Sequence, residues 1–278
     1  MRDYYKTIVD EVNEYGIAKR HLSEFLDSNS ISLYNAVVDE YIKVLQLPHI
    51  QDRILRMATG NPITDRSKWF EITQNQFYKK GIGLTHPLLQ LYLEKPFIDI
   101  ASIFYNELPK IRNVLMWSHP QNARKNAIAS QNWHRDQEDY KIFKVFINFS
   151  DIGKDNGPTE YCKKTQHNGE FGNIYPQPAL DSKPSPVFDP SKHKLEVCDI
   201  SGPAGTVNFI NTNGLHRGGL VNEGNRLLTQ CNYLSPNAPI IAKYKKLPTF
   251  DYNKDYNFVD YNGAEYKKLS QEQKYLIS

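Results

Sequence analysis

From about residue 130 onward the chain is written as short runs of alternating side chains parted by Gly, Pro, Asn and Asp, and this punctuation restricts the fold more than any other feature. Side chains alternate from face to face along a strand. "YKIFKVFINFSDI" therefore puts Phe143, Val145, Ile147 and Phe149 on one face and Lys144, Phe146 and Asn148 on the other. "DNGP" at 155–158 signals a turn, and "GTVNFIN" follows the tight "SGPAG" turn. "NRLLTQCNYL" and, upstream, "KIRNVLMWS" read as further strands. Many short strands at regular spacing predict an antiparallel sandwich or barrel.

The region before this reads differently. In "SLYNAVVDEYIKVLQL", Leu33, Val37, Tyr41, Val44 and Leu45 fall on one helical stripe, with Ser32 as the expected N-cap. "HPLLQLYLEKPFIDIASIFYNEL" is a second helical region, broken or kinked at Pro96. The expected fold is thus mainly β with N-terminal helices, in a single domain over 1–278. Helical support spans about 1–109, a β core about 110–236 and a C-terminal tail 237–278. Residues 172–194 carry five prolines and no period, the mark of a long loop that could cover a pocket mouth. The tail is rich in tyrosine, which most simply packs it onto the core.

Composition narrows the function classes. Hydrophobic residues at 40% and charged residues at 23% describe a soluble globular chain. No apolar run approaches the roughly 18–20 residues of a membrane helix, and the charged start lacks the apolar stretch of a signal peptide. A net charge of +3, with lysine pairs scattered at Lys79-Lys80, Lys163-Lys164, Lys245-Lys246 and Lys267-Lys268, gives no nucleic-acid footprint. Cys162, Cys198 and Cys231 lie far apart in no metal or redox spacing, so they read as buried thiols in a reducing, cytoplasmic setting. The expected partner is a small-molecule substrate, with neither nucleic acid nor membrane.

The chemistry begins at "QNWHRDQ". In an extended segment His134 and Asp136 point to one spot, with Trp133 and Arg135 on the other face. Alone the motif says little. In a chain with 8 His and 31 acidic residues, placement at random yields roughly one His-x-acid pair. The second piece is "NTNGLHRGGLVNEGNRLLTQ", with His216 in a Gly-rich turn and Arg226 opening the next predicted strand. Two histidines and one carboxylate on one face of an octahedron are the donor set of non-haem Fe(II) oxygenases. Three protein ligands leave three positions, two for a chelating 2-oxoacid and one for O2. A planar guanidinium suits the far carboxylate of 2-oxoglutarate through two parallel hydrogen bonds. Strand parity places Leu228, Gln230 and Asn232 on the pocket face with Arg226, and Leu227, Thr229, Cys231 and Tyr233 on the other. The same test on the earlier strand suggests Lys144, Phe146 and Asn148 for the pocket, with the opposite face as the alternative.

The segments "NWHRDQEDYKIFKVFINFSDIGKDNGPTEYCKKTQHN" and "GPAGTVNFINTNGLHRGGLVNEGNRLLTQCNYLSP" resemble the two signature blocks of the phytanoyl-CoA dioxygenase family, strongest over about 130–236. "NGPTEYCKKTQH" departs from the proline-glycine-serine-histidine ending usual there. The resemblance implies a double-stranded β-helix (jelly-roll, cupin-like) core and an Fe(II)- and 2-oxoglutarate-dependent dioxygenase that hydroxylates a C–H bond of a small-molecule metabolite. It implies His134, Asp136 and His216 as metal ligands, Arg226 as the 2-oxoglutarate carboxylate residue and Phe146 as an aromatic neighbour of that cosubstrate. Asp136 argues against halogenase chemistry, which needs a small residue there. Two rivals remain: a cupin-like metalloenzyme that does not use 2-oxoglutarate, and a jelly-roll binding protein without turnover.

Overall fold

The computed structural model describes residues 1–60, 72–73, 82–123, 126–177, 188–241, 258–259 and 264–277. The chain opens with α1 (Arg2–Tyr15), which buries Tyr5, Ile8, Val9 and Val12 at three- and four-residue spacing. Gly16, in the left-handed region at φ 85°, ends it. β1 (Ile17–His21) follows directly. This strand lies inside the stretch from which the sequence predicted helices alone, and it forms one edge of the main sheet.

α2 (Ser28–Leu45) buries Ser30, Tyr34, Val37, Tyr41 and Leu45, a stripe close to the predicted one. Its N-cap is Asp27, whose carboxylate accepts the Ser30 N–H at 2.9 Å, and not Ser32, which lies a turn inside and donates to the Ser28 carbonyl. The helix begins earlier than expected because a carboxylate caps an N-terminus at least as well as a hydroxyl. α3 (Pro48–Thr59), β2 (Ile72–Thr73) and β3 (Ile82–Gly83) come next. α4 (Pro87–Tyr92) and α5 (Lys95–Tyr105) are separate helices. Pro96 sits in the first turn of α5, where its missing N–H is harmless, so it starts a helix as well as ending the run before it.

The strands that follow are β4 (Lys110–Pro120), β5 (Phe143–Asn148), β6 (Glu160–Cys162), β7 (Val197–Asp199), β8 (Thr206–Asn211), β9 (His216–Arg217) and β10 (Asn225–Leu234). β11 (Phe258–Val259) pairs in parallel with β3, and α6 (Ala264–Lys268) and α7 (Gln271–Ile277) complete the described chain. The main sheet is antiparallel, in the order β1-β8-β5-β10-β4-β2, and a smaller antiparallel sheet runs β7-β6-β9. The two sheets close on a cluster of Ile17, Phe146, Tyr161, Ile200, Ile210 and Leu228. The expected jelly roll backed by N-terminal helices is borne out.

The outer face of the main sheet meets the helices. Phe143, Val145, Ile147, Val207, Phe209, Cys231 and Tyr233 pack there with Phe97, Phe104 and Tyr92. Each such side chain contributes about 1.5–3 kcal/mol by leaving water. Tyr hydroxyls tie the layers: Tyr34 donates to the Asn148 carbonyl at 2.9 Å and Tyr105 to the Tyr233 carbonyl at 2.8 Å.

Cys162 and Cys231 are buried and Cys198 is half-buried, with no disulfide. Burial pushes the Cys162 thiol up to about 12 and that of Cys198 to about 11. Lys163 and Lys164 make exposed ion pairs with Glu196 and Glu170, and Lys267 and Lys268 are exposed. Lys79, Lys80, Lys245 and Lys246 lie outside the described residues, as do 178–187 of the proline-rich segment and most of the tyrosine-rich tail. No described helix is long and apolar enough to cross a membrane.

Candidate metal centre

The HxD segment is not a regular strand. His134 makes an isolated antiparallel bridge with His216, each N–H donating to the other's carbonyl at 3.0 Å, and the Asp136 N–H donates to the Thr212 carbonyl at 3.0 Å. These bonds keep the backbone extended, so the side chains still alternate. His134 and Asp136 face one way. Trp133 faces the other, in a cluster with Cys162, Tyr175 and Leu215, with the Arg217 guanidinium 4.8 Å above its ring.

His216 lies on β9 in the smaller sheet, opposite Tyr161, rather than in the turn predicted for it. Its Nδ1 bonds the Gly214 carbonyl at 2.9 Å, and the His134 Nδ1 bonds the Asn132 carbonyl at 2.8 Å. Both contacts require Nδ1–H, which fixes the tautomer and leaves each Nε2 lone pair for the site. The His134 Nε2 is 3.9 Å from Asp136 Oδ1 and the His216 Nε2 is 3.7 Å from Asp136 Oδ2. One donor atom from each residue lies within 4.8 Å of the other two, a group that could hold a metal ion. Two imidazoles and one carboxylate on one side of a cavity suit Fe(II) with open positions. Burial and the neighbouring His134 pull His216 down to about 3, so the ring stands neutral as a ligand must. Burial alone would raise the Asp136 carboxyl, but the Lys144 ammonium outweighs it and holds it well below the usual carboxylate range.

A cavity of about 290 Å³ opens beside the triad. Its floor is the inner face of the main sheet. β10 contributes Arg226, Leu228 and Gln230, as parity predicted, while Leu227, Cys231 and Tyr233 point to the helices. Lys144 and Phe146 line it from β5. Asn148 points inward too, but it is fully buried, donates to the Gly202 carbonyl at 3.3 Å and does not line the cavity. There it ties the main sheet to the loop before β8.

Arg226 is 3% exposed and donates from Nη1 to the Gly157 carbonyl. Gly157 is in the left-handed region at φ 63°, and a Cβ there would lie 2.5 Å from the Leu220 carbonyl carbon. The predicted turn therefore presses its backbone onto the Gly218–Leu220 segment, above the guanidinium.

Three features were not legible from strand parity on β5 and β10 alone. The first is a second wall, on β4. Asn113, Leu115, Trp117 and His119 line the cavity, with Trp117 opposite Leu228 and His119 opposite Arg226. Alternation in "KIRNVLMWS" was the available signal, but parity does not say which strand lies alongside. The second is a charged chain in which Lys144 Nζ is 2.5 Å from Asp136 Oδ2 and 3.8 Å from Glu138 Oε1, and Arg112 pairs with Glu138. The third is Arg135, 5% exposed, whose guanidinium donates to the carbonyls of Thr165, Gly172, Tyr175 and Asn213. It ties the start of the proline-rich segment to the loop before β9.

By sequence, no family profile and no curated protein matches the chain. Solved structures do match it by shape. The epimerase SnoN, in complex with Fe3+, alpha ketoglutarate and nogalamycin RO, superposes with a TM-score of 0.58 at 13% identity, over 90% of this chain and 93% of that one. EctD from S. alaskensis with 2-oxoglutarate and 5-hydroxyectoine gives 0.53 at 12% identity, over 87% and 81%. The alpha ketoglutarate-dependent carbocyclase SnoK from nogalamycin biosynthesis gives 0.52 at 13% identity, over 88% and 92%. At such identity the likeness is one of fold. The class that fold and site define together is a jelly-roll protein with a His-Asp-His group in its cavity that could hold a metal ion.

Proposed function

We propose that the protein is an Fe(II)- and 2-oxoglutarate-dependent dioxygenase of the phytanoyl-CoA dioxygenase type that hydroxylates a C–H bond of a small-molecule metabolite in the cytoplasm. The observation that carries this reading is the convergence of His134, Asp136 and His216 in the cavity that Arg226 also lines. The fold shared with enzymes solved with iron and 2-oxoglutarate supports it. His134, Asp136 and His216 would hold the iron, which with 2-oxoglutarate and O2 would supply the oxidising chemistry of hydroxylation.

The residues do the rest. His134 and His216 present neutral Nε2 donors, and Asp136 presents an anionic oxygen. Arg226 binds the distal carboxylate of 2-oxoglutarate. Phe146 and Trp117, with ring centroids 6.4 Å apart and planes inclined at 25°, line the same cavity as Arg226 and the triad. A cavity of about 290 Å³ is at the small end of the ~300–1,000 Å³ typical of ligand sites, which favours a compact metabolite over an acyl-CoA.

Anaerobic titration with Fe(II) and 2-oxoglutarate tests this. A weak visible charge-transfer band is expected only when both are present. A charge-assisted hydrogen bond contributes about 1.5–3 kcal/mol, so losing a two-pronged contact in Arg226→Leu should weaken 2-oxoglutarate binding by roughly 10²–10⁴, with iron binding retained. Arg226→Lys should fall between, since it keeps the charge and loses the fork. A Leu variant that binds 2-oxoglutarate like the wild type would move the assignment to a cupin-like metalloenzyme working without it.

A further inference from the structure

Away from Arg226, the inner face of the main sheet ends in a row of polar side chains. Asn232 stands opposite Lys144 on β5 and opposite Asn113 on β4. It is six positions along β10 from Arg226, or roughly 20 Å. Asn113 and Lys144 line the cavity. Asn232 is 1% exposed, and among the described residues neither its amide nitrogen nor its oxygen has a hydrogen-bond partner. The Asn113 Oδ1 lacks one as well. A buried carboxamide in that state is unfavourable, and of the two asparagines Asn113 is the one that lines the cavity.

Charge singles out the kind of ligand. Lys144, 8% exposed, has Asp136 at 2.5 Å as its carboxylate partner. The next carboxylate, Glu138, is 3.8 Å away and is held more closely by Arg112. A metal ion on Asp136 draws that carboxylate's charge to itself, and the Lys144 ammonium then stays buried with its compensation reduced. An anionic oxygen brought by a ligand restores the balance.

We infer that the end of the cavity formed by Asn113 and Lys144, beside Asn232, is the subsite of the oxidised substrate and that it takes a carboxylate, with Lys144 supplying charge and the Asn113 amide N–H a hydrogen bond. This rests on the reading that Arg226 holds 2-oxoglutarate at the opposite end. The substrate is then a compact organic acid whose reacting carbon lies close to its carboxylate, because Lys144 is in contact with the ligand Asp136.

The test is calorimetric titration of Mn(II)-loaded protein saturated with 2-oxoglutarate, using small acids beside their primary amides and amines. Cyclohexanecarboxylate, cyclohexanecarboxamide and cyclohexylamine make a first set, extended to other aliphatic and cyclic acids. The acids should bind roughly ten-fold or more tighter than the amides, with the amines weakest. Lys144→Met should abolish the preference for the acid. Equal binding across each set, preference for the amine, or no binding by any acid overturns the inference from the wild-type protein alone, whatever the variant's fold. Retained acid preference in Lys144→Met overturns it too. If 2-oxoglutarate itself gives no heat with the Mn(II)-loaded protein, the proposed function fails first, a result distinct from failure of the acid.

Discussion

At the scale of residues, the triad carries two kinds of consequence. His134→Ala, Asp136→Ala and His216→Ala should each abolish stoichiometric Fe(II) binding in equilibrium dialysis, and normal binding in any one removes that residue from the ligand set. Their stabilities should differ. Asp136 is the close partner of the buried Lys144, and removing one member of a buried ion pair costs about 3–5 kcal/mol. Each kcal/mol lowers Tm by roughly 2–4 °C in a chain of this size. Asp136→Ala without metal should therefore melt several degrees below the histidine variants, whose rings bond only backbone carbonyls of their own loops. Arg135 is the contrasting case, since it never faces the cavity. Arg135→Met strands four backbone carbonyls, and a buried acceptor left unsatisfied costs about 1–3 kcal/mol. A marked fall in Tm is expected, together with faster proteolysis in the loop after Gly172. A variant as stable as wild type would show that the guanidinium is dispensable to the loop packing.

Among elements, the turn before β6 matters more than its length suggests. Gly157 holds a positive φ, abuts the Leu220 carbonyl and offers its own carbonyl to Arg226. Gly157→Ala needs the αL region and a displaced neighbour, so a loss of about 1–3 kcal/mol is expected. The backbone shift should also disturb Arg226 and weaken 2-oxoglutarate binding while Fe(II) affinity holds. Equal losses for both ligands would mean that the turn supports the whole cavity and not the guanidinium in particular. Strand faces were legible here. Period-two alternation in "FKVFINF" and "RLLTQCNY" separates the helix-facing from the cavity-facing side chains, because successive side chains of a strand point to opposite faces of the sheet.

For the whole molecule, the N-terminal segment is part of the sheet rather than only its support. β1 pairs with β8 over five residues, and α1 buries Tyr5, Ile8, Val9 and Val12 against the same core. Those four side chains contribute about 1.5–3 kcal/mol each, on the order of a domain's entire net stability. Deleting residues 1–21 should give aggregated protein by size-exclusion chromatography, with β8 exposed as an unpaired edge. A soluble, folded remainder that still binds Fe(II) would show that the sheet from β8 to β2 stands alone.

The sequence by itself determined the class of fold, the two faces of β5 and β10, and the order His134, Asp136, His216, Arg226 along the chain. Those are local properties: a period, a turn residue, a donor type. Tertiary structure alone decided which strands are neighbours. "IAKRH" shows no clean alternation and became a strand because β8 offered it a free edge. Trp117 and His119 entered the site because β4 lies beside β10. Lys144 met Asp136, and Asn232 came to stand beside Lys144, through pairings that span up to 88 positions of chain between residues 144 and 232. Parity says which way a side chain points. What it points at depends on contacts between distant segments, and their free energies appear only once the chain has closed its loops.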